Sequence, residues 1–155
     1  MACSRDTYLA VSMRSKLRFS KKQVDMNKNK TLEQIEKQVW PEPEYGSHVV
    51  KRCHQLRKVP LSEFSVEDLR IMIGQKISLS SLLPLALDVL HNNPFAEGDN
   101  FKGDLLESVL KIDDGFWHQH PELNNRMVEL KEELEQIELA LKNDILPDIK
   151  KFEFM

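Results

Sequence analysis

The chain has 155 residues, of which 41% are hydrophobic and 30% are charged. This length suits one domain with its own core and is too short for two comfortable ones. Glycine and proline are sparse, at 5 and 7 residues, and no low-complexity tract or fixed-period repeat is present. The composition therefore argues against wholesale disorder.

The net charge of −3 conceals two unlike parts of the chain. Residues 1–25 hold six basic and two acidic side chains, a net charge of +4, which leaves −7 for residues 26–155. We interpret residues 1–25 as a disordered or extra N-terminal tail and residues 26–155 as the helical domain. The alternative for the tail is a basic arm, either of a nucleic-acid-binding regulator or for an anionic membrane. The acidic domain itself should repel nucleic acid and favour basic partners.

The cellular location is predicted from what the N-terminal region lacks. Its basic residues are never followed by an apolar segment and a small-residue cleavage site, so we expect a cytoplasmic protein. The two cysteines, Cys3 and Cys53, are then expected to be free thiols, because a lone bridge is no disulfide framework.

The first two predicted helices are marked by capping residues and prolines. Thr31 and Gln34 form a capping-box pattern, and apolar residues continue at helical spacing to Trp40, where two nearby prolines stop the helix. Ser47 can cap a second helix that ends before Pro60. Three basic side chains are expected on or near the face of this helix away from the core: Lys51, Arg52 and Arg57.

The third helix has the clearest start signal, a capping box that begins at Ser65. Gly74 suits the left-handed residue that closes a helix. A fourth helix is predicted to open at Ser80 or Ser81, which would place Pro84 inside its first turn, where a missing N–H is harmless.

Residues 68–90 are the most apolar stretch and invite three functional interpretations. A membrane span is excluded because charged and polar residues interrupt the stretch. A DNA-reading helix-turn-helix is disfavoured because its second helix would offer leucines to the groove. A pocket lined by Arg70 and Gln75 stays open, although an ion pair of Arg70 with Asp68 or Asp88 is the more ordinary explanation.

The remainder of the chain reads as a loop, a short helix, a turn and a long helix. The loop pivots at Gly98 and Gly103, Asp104 begins the short helix, residues 113–120 form the turn, and Pro121 starts the long helix. The long helix carries a heptad-like seam of Leu123, Met127, Leu130, Leu134, Ile137 and Leu141. We expect it to dock on its own core, with a dimeric coiled coil as the alternative. No β-hairpin signal competes, so we predict an all-α, single compact helical domain of about six helices.

No catalytic or cofactor motif stands out. The five glycines are too scattered for a phosphate-binding loop, and the histidines lack the spacing of a metal site. No nucleophile is marked by a helper base. We therefore predict no catalytic, cofactor-binding or metal-binding residues and no enzymatic activity, with a small helical hydrolase using Asp and His as the alternative.

Three runs carry a family resemblance: LRKVPLSEFSVEDLRIMIGQ, PLALDVLHNNPFAEGD and GDLLESVL. Together with VWPEPEYGSHVV before them and Trp117 after them, they resemble the immunity proteins of bacterial contact-dependent growth inhibition (CDI) systems, the CdiI class. The resemblance covers residues 31–117. Two places depart from the common pattern: residues 100–102 replace a frequent aromatic–proline pair, and Ser80 and Ser81 stand where an aromatic residue is frequent.

The resemblance implies a cytoplasmic antitoxin that binds and neutralises the C-terminal domain of a cognate toxin. Such toxins are often nucleases, so a basic nuclease is the expected partner, with no direct contact to nucleic acid or membrane. An acidic inhibitor suits that task because it can imitate nucleic acid electrostatically and associate quickly. The resemblance supplies no catalytic residue and no transferable contact positions.

The contact residues must therefore be predicted from exposure. Acidic residues cluster around two loops, and two aromatic residues near them are candidate anchors. The predicted partner-binding residues are Glu97, Asp99, Phe101, Asp104, Glu107, Asp113, Asp114 and Trp117. The alternative is that the acids are solvated loop and helix-cap residues, with Asp104 as an N-cap, and that Trp117 belongs to the core.

Overall fold

The order of elements follows the caps and breaks in the sequence. A computed structural model describes residues 28–44 and 46–152. The helices are α1 (Leu32–Glu36), α2 (His48–Leu56), α3 (Val66–Gly74), α4 (Leu79–Asn92), α5 (Asp104–Leu110), α6 (Asp114–Gln119), α7 (Pro121–Ala140) and α8 (Leu146–Ile149). A 3-10 turn spans Leu61–Glu63, and a π-helical turn spans Leu141–Ile145 between α7 and α8. In these residues β-structure is limited to isolated bridges, so the all-α prediction is confirmed. Our prediction for residues 1–25 lies outside the described residues.

The predicted N-terminal caps are present. The Thr31 and Ser65 side chains each accept a hydrogen bond from the third residue of the helix that follows, and a side chain returns the bond to complete both capping boxes. Ser47 Oγ accepts from Val50 N at 3.4 Å. Because a cap is a local interaction, its sequence pattern is enough to place the start of the helix.

The first helix is shorter than predicted because the chain leaves it to surround Arg57. Lys37 adopts a left-handed conformation with φ of 54° and ends α1 well before Trp40. The Gln38 carbonyl then accepts a 3.0 Å hydrogen bond from Arg57 Nη2. The Trp40 ring lies against the same guanidinium, 4.1 Å from its centre.

Arg57 is therefore in the core, and its predicted place on the exposed face of α2 is wrong. Its side chain is only 1% exposed, and its Nη1 lies 2.7 Å from a Glu36 carboxylate oxygen. The same nitrogen donates to Ser78 Oγ at 3.3 Å. Arg57 keeps the helical backbone conformation of α2, and its N–H donates to the Cys53 carbonyl, so it lies one turn after buried Cys53 on the same inward face. One buried cation thus joins α1, the end of α2 and the residue before α4.

The junction between α3 and α4 also differs from the prediction. Gly74 is still helical, and the left-handed residues are Lys76 and Ser78, with φ of 57° and 53°. As a result α4 begins at Leu79, and Pro84 is buried in its second turn instead of its first. The Pro84 carbonyl accepts a 3.2 Å hydrogen bond from Arg126 of α7, so the proline turn is fastened to the neighbouring helix.

The hydrophobic core is centred on α4, which packs on α3, α5 and α7. Its fully buried apolar residues are Leu82, Leu83, Ala86, Leu87 and Leu90. The long helix α7 docks on this core through Leu123 and Leu130 and becomes exposed beyond Ile137. Asp88 pairs with Arg126 at 2.7 Å and Asp68 with Arg52 at 2.6 Å, so neither carboxylate pairs with Arg70.

Residues 113–120, where we predicted a turn, contain the short helix α6 (Asp114–Gln119). Phe116 packs on the core and stacks on the His120 ring with 4.1 Å between ring centres. That packing stabilises a six-residue helix that the Gly-containing sequence does not predict, because short helices depend on tertiary contacts. Over the described residues, no helix combines the length and hydrophobicity needed to cross a membrane.

Candidate partner-binding surface

Residues 93–103 form a loop between α4 and α5 that is held from inside by two carboxylates. Asp104 Oδ1 accepts a 2.7 Å hydrogen bond from Gly98 N, and Asp104 Oδ2 accepts one of 3.1 Å from Asn100 N. Glu67 Oε2 of α3 accepts from Asp99 N at 2.9 Å. Three successive backbone N–H groups therefore point inward to fixed acceptors, and we call residues 93–103 the clamped loop.

Arg70 neutralises the two carboxylates that hold the clamped loop. Its guanidinium donates to both Glu67 oxygens, at 2.6 and 2.5 Å, and its Nε lies 3.6 Å from Asp104 Oδ2. Asp104 is 1% exposed, so its charge would be costly without these partners. The Arg70 side chain, which we considered as the lining of a pocket, is therefore occupied by ion pairs with Glu67 and Asp104.

The pKa values reflect the same contacts. Burial alone raises the pKa of Asp104, but hydrogen bonds from the loop backbone and the Arg70 charge outweigh it and hold the pKa below its ordinary value of 3.8. The hydrogen bond from Arg70 is the main reason that the pKa of Glu67 lies below 4.5. Both carboxylates are therefore ionised when they hold the loop.

Gly98 permits this close approach of loop and carboxylates. A Cβ atom at this position would collide with Glu67 Oε2 and lie 3.0 Å from Asp104 Oδ2. Gly103 answers a different need, since it adopts φ of 91° immediately before α5. Gly103, and not Asp104, is the N-cap residue of α5, so the expected capping role of Asp104 is wrong: its carboxylate caps the loop.

The outer side of the clamped loop displays aromatic and acidic side chains together. Phe95 and Phe101 are 53% and 50% exposed. Glu97 and Asp99 are exposed beside them in sequence, and Glu97 forms an isolated antiparallel bridge with Lys102. Half-exposed phenylalanines on a loop with an internally bonded backbone are what a protein-binding anchor requires.

A second acidic group lies at the opposite end of α5. Asp113 is exposed and pairs with Lys76 at 2.8 Å, which lowers the pKa of its carboxyl. Asp114 is exposed as well, and Leu110 beside them is 64% exposed. Glu107, which pairs with a lysine one turn later, is exposed and lies between the two groups in sequence. Residues 93–114 thus form one segment with acidic groups at both ends and exposed apolar side chains within it.

The structure divides the eight predicted contact residues into exposed and enclosed ones. Six are exposed: Glu97, Asp99, Phe101, Glu107, Asp113 and Asp114. Asp104 is buried inside the loop, and Trp117 is half-buried, packed on the core and edge-on to Phe116. Sequence reasoning missed Phe95 and Leu110 as exposed apolar residues, although the placement of Phe95 beside Pro94 in a loop was an available signal.

The surface offers no sign of metal chemistry. Across residues 28–44 and 46–152, no group of three or more His, Cys, Asp or Glu side chains could hold a metal ion. Its acids are instead spread around apolar side chains. That composition is suited to contact with another protein.

Comparison with known families places this geometry in context. Residues 34–127 match the family described as CDI immunity proteins. The chain belongs to this family. The match covers α2 to α6 and the first turns of α7, including the whole of the clamped loop, and confirms the resemblance predicted from sequence. Comparisons with curated proteins and with solved structures find no significant match.

Proposed function

We propose that this CDI immunity protein neutralises its cognate toxin by binding the toxin domain through the surface formed by residues 93–114. The observation that carries the proposal is the clamped loop, which exposes Phe95 and Phe101 on a backbone fixed by Asp104 and Glu67. Aromatic side chains at the centre of an interface supply most of its binding energy when little ordering is needed on binding. The fixed loop meets that second condition.

The charge of the same surface favours a basic partner. Residues 93–114 contain six acidic and two basic side chains, a net charge of −4, and the one buried acid is already compensated by Arg70. A nuclease is basic where it holds phosphate, so we propose that the toxin domain is a nuclease and that the acids accelerate association with it. The protein would then inhibit the toxin by covering its surface sterically and by repelling its nucleic-acid substrate electrostatically. The protein performs no chemistry of its own and acts in the cytoplasm, where the toxin would arrive.

The experiment pairs the purified protein with the toxin domain encoded beside its gene. We expect a stoichiometric complex, rescue of cells that express the toxin domain, and an association rate that falls as salt is added. Failure of rescue would reject the function. If the protein rescues the cells but its association rate with the toxin domain does not change with salt, electrostatic acceleration is rejected and neutralisation by binding is retained.

The identity of the toxin's substrate is tested separately. The toxin domain should degrade RNA or DNA in vitro, and a stoichiometric amount of this protein should stop it. A toxin domain that is bound and neutralised but leaves both nucleic acids intact would exclude the nuclease proposal alone.

A further inference from the structure

The C-terminal part of the long helix carries an apolar stripe that this chain leaves uncovered from Leu141 onward. The stripe consists of Leu134, Ile137, Leu141, Ile145, Ile149 and Phe152. Its last four members are 41%, 49%, 54% and 74% exposed, whereas Leu134 is half-buried against the core and Ile137 is half-buried. We call these six residues the C-terminal stripe. The whole stripe lies outside the part of the chain that matches the immunity family.

The first five members of the stripe stay on one side of the helix through the π-helical turn, and Phe152 lies in the turn that follows Ile149. Its members are spaced by three, four, four, four and three residues. Repeated steps of four drift around an ideal α-helix, but the wider turn at Leu141–Ile145 absorbs part of that drift. Over the described residues, the substantial contacts of this turn are with α7 and α8 alone. The segment therefore projects as a helix with one apolar face open.

The spacing of the stripe is the same in both directions along the chain, which points to a second copy of this chain as its binding partner. Leu134 and Phe152, Ile137 and Ile149, and Leu141 and Ile145 are equidistant in sequence from position 143. A two-fold axis at that position would place each member against its mirror position in a second copy. Symmetric dimers bury the same patch on both chains, and a palindromic stripe is self-complementary in that way.

Charge selects the antiparallel orientation. Residues 129–138 hold five glutamates and one lysine, a net charge of −4. Residues 139–152 hold three lysines and two aspartates, a net charge of +1. Parallel pairing would bring the two strongly acidic parts together, whereas antiparallel pairing sets each against the basic end of the other copy.

We propose that residues 134–152 pair antiparallel with the same residues of a second copy of this chain. The helical part of the paired segments, residues 134–149, would be about 24 Å long at about 1.5 Å per residue. That length is at the low end for a stable interface, so we expect a dissociation constant on the order of micromolar. The dimer would leave the 93–114 surface of each copy to the toxin.

Sedimentation of the full chain across roughly a hundredfold range around that concentration tests the pairing. Leu141→Lys and Ile145→Lys should each weaken dimerisation about tenfold or more, because a lysine would face an isoleucine or leucine of the other copy. Leu139→Lys is the matched control: Leu139 is 51% exposed on the same helix but lies off the stripe, and its replacement should leave dimerisation unchanged. Circular dichroism should show all three variants folded.

A wild-type protein that stays monomeric over the whole range would overturn the proposal. So would a Leu139→Lys variant as impaired as Leu141→Lys, since that result would mean unspecific stickiness. Loss of toxin binding by Leu141→Lys in a monomeric protein would assign the stripe to the toxin instead.

The orientation is tested by zero-length cross-linking of isotopically mixed copies. Antiparallel pairing predicts links between Lys150 or Lys151 of one copy and the glutamates at 132, 133 and 135 of the other. Links between copies that join only Lys150 or Lys151 to Asp148 would show parallel pairing and would contradict the proposed arrangement.

Discussion

Asp104 Oδ1 lies 2.7 Å from the backbone nitrogen of Gly98, six residues earlier in the chain. This bond turns one acid of the segment 93–114 into part of the scaffold. The side chains that remain for a partner are those on the outer side of the loop. The buried acid therefore determines how precisely the exposed ones are presented.

Replacing Asp104 by asparagine should destabilise the protein. The change keeps the shape of the side chain but removes one acceptor and the charge facing Arg70, which we expect to cost about 2–3 kcal/mol in free energy of unfolding. Urea denaturation measures it. Glu107→Gln, on the exposed face of the same helix, is the control and should change stability by no more than about 0.5 kcal/mol. Equal effects would mean that the buried carboxylate has no special role.

Gly98→Ala should disturb the loop more than the fold. Its methyl group would push the Glu67 and Asp104 carboxylates away from the backbone N–H groups they hold, at an expected cost of about 1–2 kcal/mol. Exchange of the loop amide hydrogens should accelerate while that of α4 stays slow. Gly115→Ala meets nothing within 4 Å, and because Gly115 is helical, alanine there should be neutral or stabilise by up to about 1 kcal/mol. A slow-exchanging loop in Gly98→Ala would refute the clamp.

Acid should weaken the clamp. The folded pKa values of Glu67 and Asp104 lie below their ordinary values of 4.5 and 3.8. Fewer protons are therefore bound in the folded state, so the stability these groups contribute is complete above those values and is lost as the pH falls through and below them. The free energy of unfolding should drop less steeply in this range for Asp104→Asn than for the wild type. If the free energy of unfolding of the wild type and of Asp104→Asn fell equally steeply with pH, the ionisation of Asp104 would not stabilise the loop.

Arg57→Lys should be strongly destabilising despite keeping the charge. The guanidinium contacts Glu36, Gln38, Ser78 and the Trp40 ring at once, and an ammonium cannot reproduce that fork or the stacking. We expect a loss of about 3 kcal/mol or more in free energy of unfolding. Lys58→Ala is the neighbouring control: this exposed residue pairs only with exposed Glu42 in the described structure, and its loss should leave the unfolding midpoint unchanged. A midpoint for Arg57→Lys near that of the wild type would be the contrary result.

The parts of this structure that were predictable from sequence are the local ones. The capping boxes at Thr31 and Ser65 involve residues three apart, so the pattern and the interaction coincide. The leucines of α4 were expected inside because of their number alone. Family membership, too, followed from an ordered series of short runs.

Long-range partners decide what could not be predicted. Arg57 is buried because Glu36 and Ser78, each about twenty residues away, converge on it. Asp104 can be buried because the charge of Arg70, on α3, compensates its carboxylate. Likewise, the left-handed residues after α3 are Lys76 and Ser78 and not the more permissive Gly74, which is still helical.

Toxin binding by two phenylalanine variants tests the central claim most directly. Isothermal titration with the cognate toxin domain should show Phe101→Ala and Phe95→Ala each weakening binding about tenfold or more, about 1.4 kcal/mol, with unchanged unfolding midpoints. Phe152→Ala, which removes an even more exposed phenylalanine from the far end of the chain, should bind like the wild type. A toxin that binds both loop variants as tightly as Phe152→Ala would contradict the assignment of the clamped loop as the toxin-binding surface.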